Sequence, residues 1–206
     1  MFTGIVQGVA ELASLERKSN LSTLGICLPP ATREGLQVGA SVAINGVCLT
    51  VVRWDDQAVY FDAMIETLRL TNLGGLQQGD QINFERAARF SDEIGGHLMS
   101  GHVIDQVELT ARQELDENNL RLEFTAAPKW MKYIFPKGYI GLNGCSLTLG
   151  EVEDNRFSVY LIPETRRATT FGEMQEGTRV NLEIDPQTQV IVDTVERVMA
   201  SRQSFG

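Results

Sequence analysis

The chain contains an internal repeat, and this repeat constrains its fold more than any other feature of the sequence. The segment Asn45–Thr50, NGVCLT, returns as Asn143–Thr148, NGCSLT, at an offset of 98 residues. Phe2–Val6 matches Met99–Val103 at an offset of 97, because one residue is inserted between the two blocks. Matches in constant register over this length indicate two copies of one module, and the period is too long for a solenoid.

The repeat predicts two paired domains followed by a tail. We expect a first domain over residues 1–97, a second over 98–186, and a separate segment over 187–206. The boundary between the copies lies near Phe90–Gly96, FSDEIGG.

Each copy has the pattern of several short β-strands. Ala40–Ile44 is rich in β-branched residues, and Ala58–Met64 alternates apolar and polar residues like its counterpart in the second copy. Asn45-Gly46 and Asn143-Gly144 predict tight hairpin turns, since both central residues of a type I′ turn need a positive φ. Short strands separated by turns predict a small barrel or sandwich, with only a turn of helix after Glu66 and after Glu164.

The tail differs from both copies and predicts an amphipathic helix. Ile191, Val195, Val198 and Met199 fall at helical spacing and form one apolar stripe. The stripe either packs on the chain's own barrel or mediates self-association, and the sequence favours neither alternative.

Composition excludes several classes of function. A net charge of −9 argues against nucleic acid as a partner, because phosphate binding depends on clustered Lys and Arg. The sequence lacks an apolar run long enough for a membrane helix, and its first residues do not have the pattern of a signal peptide. Three widely spaced cysteines and two histidines make a metal site unexpected and favour a reducing cytoplasm.

The repeated hairpin also carries polar side chains at alternate positions. Cys48 shares a face with Thr50, and Ser146 shares one with Thr148. We expect these groups on an inward face, where they suit a polar planar ligand, although Thr and Ser are also good strand formers. The exchange of Cys48 for Ser146 indicates that the two copies are chemically unequal.

Both histidines lie at the junction between the copies. His102 occupies the position of Ile5 in the first copy, so an acid–base group replaces an apolar one. A histidine satisfied by backbone carbonyls is the alternative for His97 and His102 alike.

Four motifs together resemble the riboflavin synthase family, whose modules are lumazine-binding domains. They are MFTGIV at the start, NGVCLTV, SDEIGGHLMSGHV at the junction, and IPET, and the resemblance runs from Met1 to about Met199. It implies an all-β fold of two tandem six-stranded Greek-key β-barrels with a C-terminal α-helix that holds a homotrimer together. Asn143 and Cys145 depart from the family pattern, in which an Asp and an aliphatic residue are frequent.

The resemblance also implies the reaction and its partners. Two molecules of 6,7-dimethyl-8-ribityllumazine exchange a four-carbon unit to give riboflavin and 5-amino-6-(ribitylamino)uracil, without cofactor or metal. The active site is expected between the first barrel of one subunit and the second barrel of another. An association with lumazine synthase is a further implication.

Matching the family motifs residue by residue predicts two half-sites. The catalytic candidates are His102, Ser146, Cys48 and Thr148. The first half-site is expected to comprise Gly4, Ile5, Val6, Ser41, Cys48, Leu49, Thr50, Asp62, Ala63, Met64, Ile65, Glu66, Thr67, Gly101, His102 and Val103. The second is expected to comprise Lys137, Ser146, Leu147, Thr148, Tyr160, Leu161, Ile162, Pro163, Glu164 and Thr165.

Two other classes of protein are alternatives. A non-catalytic antenna protein that binds one lumazine or flavin would show a degraded junction motif and one degraded half-site, whereas the polar groups of both half-sites remain here. A flavin reductase barrel would need a nicotinamide site and would not show the tandem repeat.

Overall fold

The computed structural model describes residues 1–203 and consists of two closed six-stranded barrels followed by a helix. The first barrel is built from β1 Gly8–Arg17, β2 Leu21–Cys27, β3 Ser41–Ile44, β4 Val47–Trp54, β5 Val59–Met64 and β6 Gln81–Arg86. Around the barrel the order is β1-β2-β5-β4-β3-β6, with every pairing antiparallel. Short helices lie outside it: α1 Pro30–Arg33, α2 Ile65–Leu70 and a 3₁₀ turn at Asn72–Gly75.

The second barrel repeats this topology. Its strands are β7 Asp105–Glu114, β8 Leu120–Thr125, β9 Tyr139–Leu142, β10 Cys145–Glu153, β11 Arg156–Leu161 and β12 Arg179–Ile184. Its helical segments are α3 Pro128–Met131, α4 Pro163–Ala168 and a 3₁₀ turn at Thr170–Gly172. The strands close in the same cyclic order as the first barrel, which confirms the predicted tandem barrels. Closure leaves neither sheet with an unpaired edge strand.

Large apolar side chains fill both barrels. Phe61 and Phe84 are fully buried in the first, and Phe124 and Phe157 stack at 5.6 Å between ring centroids in the second. A barrel of this size has an interior just wide enough for side chains. Any ligand must therefore bind on the outer face of a barrel.

This packing corrects the expectation that the polar hairpin residues face inward. Leu49 lies in the apolar core of the first barrel, while Cys48 is half-buried and Thr50 exposed on the other face of β4. On β10, likewise, Leu147 lies in the core of the second barrel and Thr148 is exposed on the other face. The paired residues do share a face, as predicted, but leucine takes the interior because burying its side chain is more favourable.

The two Asn-Gly turns join the barrels to each other. Asn45 and Asn143 have φ angles of 45° and 43°, and the glycine after each also has a positive φ. These angles confirm the predicted turns. The turns abut so closely that a Cβ on Gly46 would lie 2.5 Å from the nitrogen of Gly144. A side chain at this contact would push the barrels apart.

Buried asparagines reinforce this contact with reciprocal hydrogen bonds. The side-chain amide of Asn83 donates to the Asn143 carbonyl at 3.0 Å, and that of Asn181 donates to the Asn45 carbonyl at 2.8 Å. The side-chain oxygen of Asn143 accepts a further bond from the Asn72 side chain at 3.0 Å. The copies thus pack face to face with approximate two-fold symmetry.

The predicted tail helix is present as α5 Pro186–Gln203. Its apolar stripe is exposed, including Ile191, Val195, Val198 and Met199, so it is not covered by the chain's own barrels. The N-terminal part of the helix is anchored to the second barrel: Val192 packs against its core, the Tyr133 hydroxyl donates to Asp193 at 2.5 Å, and Lys132 donates to Glu196 at 2.5 Å. Residues 204–206 of the predicted tail segment lie outside the described residues.

Within residues 1–203, no helix is long and apolar enough to cross a membrane. The same part of the chain has no group of three or more His, Cys, Asp or Glu side chains arranged to hold a metal ion.

Candidate active site

The leading segment of each copy crosses to the opposite barrel. The Gly4 carbonyl accepts a hydrogen bond from the Ser146 backbone N–H at 2.8 Å, and the Gly101 carbonyl accepts one from the Cys48 N–H at 3.0 Å. Each half-site is therefore built from one barrel and the leading segment of the other copy.

The crossing corrects part of the predicted site. Val6 lies in the core of the second barrel, and Gly4 approaches Ser146 so closely that a Cβ on it would be 2.5 Å from the Ser146 Cβ. Assigning Gly4–Val6 to the first half-site was therefore wrong. Val103, in contrast, packs on the first core, next to its expected neighbours. Sequence matching alone placed both leading segments with Cys48, because it cannot show that they exchange.

The first half-site lies on the outer face of β3 and β4. Ser41 pairs with Thr50 across these strands, and Cys48 lies two residues away on the same face. The crossing segment brings Gly101 against Cys48 and leaves the following His102 exposed. Asp62 lies on β5, the strand next to β4 in the barrel. Its side chain is half-buried and accepts a 2.7 Å hydrogen bond from the Thr23 hydroxyl. This half-site offers a thiol, hydroxyls and an exposed imidazole.

The second half-site contains a buried imidazole. His97 Nδ1 and Ser146 Oγ lie 2.7 Å apart, and the imidazole ring stacks on Tyr139 at 5.2 Å between centroids. Tyr139 pairs with Thr148 in the β9–β10 register, so all four groups lie together. A hydroxyl in contact with an imidazole is an arrangement that can activate a nucleophile or relay a proton.

Burial sets the protonation state of His97. Desolvation lowers the pKa of this imidazole below its usual value of 6.5, and Asp185 opposes the shift only in part. Its Nε2 is buried without a hydrogen-bond partner among residues 1–203. A neutral imidazole at neutral pH is the form that can accept a proton.

His97 was missing from the predicted catalytic residues. It was noted in the junction motif, but its contact with Ser146 spans 49 residues of chain and leaves no local pattern. The close packing of Gly96 explains the contact, because a Cβ there would lie 2.6 Å from the Ser146 Cβ. Only the folded chain brings the junction onto β10.

Lys137 has an unusual backbone conformation. Its φ is 68°, in the left-handed region that glycine adopts at the matching Gly39, where φ is 89°. A non-glycine residue there is strained, and such strain is concentrated at functional sites. The backbone hydrogen bond at this position is the same in both copies. The Lys137 N–H donates to the Leu149 carbonyl at 2.9 Å, and the Gly39 N–H donates to the Val51 carbonyl at 2.8 Å. The second copy has therefore gained an ammonium group on an unchanged backbone.

The remaining predicted residues fall into two groups. The side chains of five lie in the barrel cores and can offer a ligand only their backbone: Val6, Leu49, Ala63, Leu147 and Leu161. The others are exposed or half-buried where β5 leads into α2 and where β11 leads into α4: Met64, Ile65, Glu66 and Thr67, and Tyr160, Ile162, Pro163, Glu164 and Thr165. They form a rim at equivalent places on the two barrels.

The two half-sites do not meet in the cleft between the barrels. This cleft, of about 1050 Å³, contains none of the four catalytic candidates. Its walls include Leu68, Arg69, Asn72, Arg166, Arg167 and Met174.

Comparisons with known proteins agree with this architecture. The family model described as the lumazine binding domain matches residues 3–87 and again residues 100–185. Each match covers one barrel and most of the leading segment that crosses from it. The chain is thus a protein with two tandem lumazine-binding domains.

Full-length relatives narrow this class. The riboflavin synthase of Escherichia coli (strain K12) is 56% identical over 205 residues, which cover 99% of this chain and 96% of that protein. The riboflavin synthase of Chlamydia pneumoniae is 44% identical over 201 residues, with 98% of both chains covered. The chain therefore belongs to the riboflavin synthase family.

Solved structures show related barrels with ligands. LumP complexed with riboflavin matches with a TM-score of 0.83 and 26% identity, covering 89% of this chain and 99% of that one. LumP complexed with 6,7-dimethyl-8-(1'-D-ribityl)lumazine matches with a TM-score of 0.81 over the same shares.

Proposed function

We propose that this chain catalyses the riboflavin synthase reaction. Two molecules of 6,7-dimethyl-8-ribityllumazine exchange a four-carbon unit to give riboflavin and 5-amino-6-(ribitylamino)uracil. The observation that carries this proposal is the 56% identity to a riboflavin synthase along the whole chain, with polar groups retained in both half-sites.

The chemistry requires a base and a nucleophile. The 7-methyl group of the lumazine is acidic because its carbanion is delocalised into the ring, and a nucleophile activates the partner molecule at ring carbon 7. His102, Ser146, Cys48 and Thr148 remain our catalytic candidates, and His97 joins them. The 2.7 Å contact between His97 Nδ1 and Ser146 Oγ supports a role for this pair in taking up a proton from a hydroxyl or a bound water.

Positioning is expected to contribute more than any single side chain. Holding two rings face to face converts a bimolecular encounter into a reaction within one complex, which can supply about 7–11 kcal/mol. In this proposal the rim residues at the starts of α2 and α4 hold one ribityl chain on each barrel.

The complete active site is proposed to form between two subunits of a homotrimer. Two observations support this: the cleft between the barrels of one chain lacks the catalytic candidates, and the apolar stripe of α5 is exposed. An apolar stripe of this kind is stabilised by burial against another copy. The first barrel of one subunit would then face the second barrel of its neighbour.

The remaining expectations also stand as proposals. Domain limits at 97/98 and 186/187 are compatible with family matches that end at 87 and restart at 100. Free thiols at Cys27, Cys48 and Cys145 fit the reducing cytoplasm that we expect. The association with lumazine synthase rests on the family resemblance alone.

The second candidate function is that of a non-catalytic lumazine or flavin binder, favoured by the structural similarity to LumP. One assay separates the two: purified protein is incubated with 6,7-dimethyl-8-ribityllumazine and no cofactor, and riboflavin absorbance is followed. We expect riboflavin to accumulate. Tight binding of the lumazine without product would identify a binder instead.

A further inference from the structure

Two buried glutamates lie outside the predicted site and have matching positions in the two copies. Glu85 is on β6 and Glu183 is on β12, and each is only 3% exposed. Burial raises the pKa of both carboxyls above the ordinary value. Burying a carboxylate is costly, and apolar residues of similar size would often stabilise a fold as well. Their presence in both copies therefore needs a reason other than stability.

Glu85 holds the leading segment of its own copy. Its Oε1 accepts hydrogen bonds from the Thr3 N–H and the Thr3 hydroxyl, both at 2.7 Å, and its Oε2 accepts one from the Gly4 N–H at 3.1 Å. One carboxylate thus holds the N–H groups of two consecutive residues, Thr3 and Gly4, together with the Thr3 hydroxyl.

Glu183 makes the equivalent contacts in the second copy. It accepts from the Ser100 N–H at 2.7 Å, from the Ser100 hydroxyl at 2.8 Å and from the Gly101 N–H at 3.2 Å. The arrangement was kept in both copies, although the residues around the two half-sites diverged.

The glycines that these carboxylates hold are the ones that cross to the opposite barrel. Gly4, held by Glu85, accepts from the Ser146 N–H, and Gly101, held by Glu183, accepts from the Cys48 N–H. Each glycine thus donates its N–H to a buried carboxylate and accepts, at its own carbonyl, the N–H of a candidate catalytic residue.

We propose that Glu85 and Glu183 are positioning residues that act across the chain. Glu85 of the first barrel fixes the Ser146–His97 half-site on the second barrel, and Glu183 of the second barrel fixes the Cys48–His102 half-site on the first. The consequence for turnover rests on the proposed function, but the crossed geometry can be measured without turnover.

Substituting glutamine for either glutamate tests the proposal with the smallest change in shape. A Gln side chain keeps the size of Glu but has a single acceptor oxygen, so one donor of the leading segment faces an NH₂ group instead. Glu85→Gln and Glu183→Gln therefore loosen one leading segment each, and they are matched controls for one another.

The first readout is the reactivity of Cys48 toward iodoacetamide. It is measured in the Cys27→Ser background, because Cys27 is exposed, whereas Cys145 is buried with a pKa raised to about 12 and reacts little. Glu183→Gln is expected to increase the Cys48 rate by roughly 2- to 10-fold, the range for losing one hydrogen bond in a local opening equilibrium. Glu85→Gln is expected to leave this rate unchanged.

The second readout is the NMR signal of His97 in protein labelled at histidine. Glu85→Gln is expected to shift this signal and its titration, because the Ser146 hydroxyl lies against His97. Glu183→Gln is expected to leave it in place and to shift the His102 signal.

A pattern in which each substitution disturbs only its own barrel, or both half-sites equally, would overturn the proposal. If a Gln variant does not fold, Thr3→Val and Ser100→Ala remove one hydrogen bond to each carboxylate and must give the same crossed pattern. Riboflavin production by the unmodified chain tests the proposed function separately, so the two failures are distinguishable.

Discussion

The two half-sites share one backbone and differ in the groups placed on it. In the first, Cys48 is half-buried and His102 is exposed; in the second, Ser146 contacts a buried histidine and Ile5 stands at the position of His102. The elements that hold each half-site are the same in both copies, namely the buried glutamate, the crossing glycine and the Asn-Gly turn. The duplicated module has therefore kept its architecture and changed its chemistry, as the proposed reaction between two substrate molecules in different roles requires.

The chemical difference between the half-sites can serve a reaction only if the two half-sites meet. Preventing them from meeting is therefore expected to have the largest effect. Ile191→Asp combined with Val198→Asp places two charges on the exposed stripe of α5. We expect the proposed trimer to dissociate and turnover to fall by more than about a hundredfold, because the two substrates of the proposed reaction are no longer held together. Sedimentation velocity and riboflavin formation measure the two effects.

Ala200→Asp is the matched control, since it adds a charge on the opposite side of the same helix. A dissociated protein with full activity would show that one chain carries a complete site.

Unequal chemistry predicts unequal responses to substitution. Ser146→Ala removes the hydroxyl that contacts His97 and is expected to lower kcat by about 10²-fold, within the range of a lost acid–base contribution. Cys48→Ser keeps a polar group on the face of β4, and we expect less than about a tenfold loss. Steady-state kinetics of both variants, with the exposed Cys27→Ser as control, make the comparison. Equal losses would contradict specialised half-sites.

The buried His97 predicts a pH dependence of turnover and of stability. Since burial lowers the pKa of His97 below 6.5, the active neutral form persists below that pH and kcat/KM falls only when the pH reaches the lower folded pKa. The native chain then binds fewer protons than the unfolded chain. The contribution of His97 to the free energy of unfolding is complete above pH 6.5, the ordinary pKa of histidine, and is lost as the pH falls through the lower pKa of the folded chain.

A pH–rate profile of the unmodified chain and of His97→Gln tests this, with NMR titration of the labelled histidines. Loss of the acidic limb in the variant is the expected result. An unchanged acidic limb would show that a group other than His97 titrates in this range.

The smallest predicted effect concerns the exchange of Gly39 for Lys137. Lys137→Gly removes the ammonium and relieves a left-handed φ of 68°, so we expect KM to rise while the free energy of unfolding increases by about 0.5–1 kcal/mol. Urea unfolding and substrate titration measure the two quantities. A variant with lower stability and unchanged KM would indicate that the lysine serves the fold rather than the ligand.

Much of the fold follows from local patterns. The repeat predicted two paired modules, and the Asn-Gly pairs predicted turns whose positive φ values the structure confirms at Asn45 and Asn143. The short helices after β5 and β11 were also predicted. Strands β1, β2, β7 and β8 were not assigned individually. A bulge interrupts the alternation of β1 between Leu12 and Ser14, and another interrupts that of β7 between Leu109 and Ala111.

The face of β4 that carries Cys48 was predicted wrongly, although the sequence contains the signal. Val47, Leu49 and Val51 form one continuous apolar face, and all three lie in the first core. Weighing that face against Cys48 and Thr50 would have placed the thiol outside the barrel, since apolar burial decides the orientation of a strand.

The sequence by itself determined that two copies of one barrel exist, where their hairpins turn, and which positions differ between them. Repetition, glycine in positive-φ turns and alternating apolar residues are local properties that the chain carries in order. Only the tertiary structure decided that Gly4 and Gly101 exchange barrels and that His97 meets Ser146. These contacts depend on hydrogen bonds between segments far apart in the chain, and no local pattern encodes which of two equivalent barrels a segment will reach.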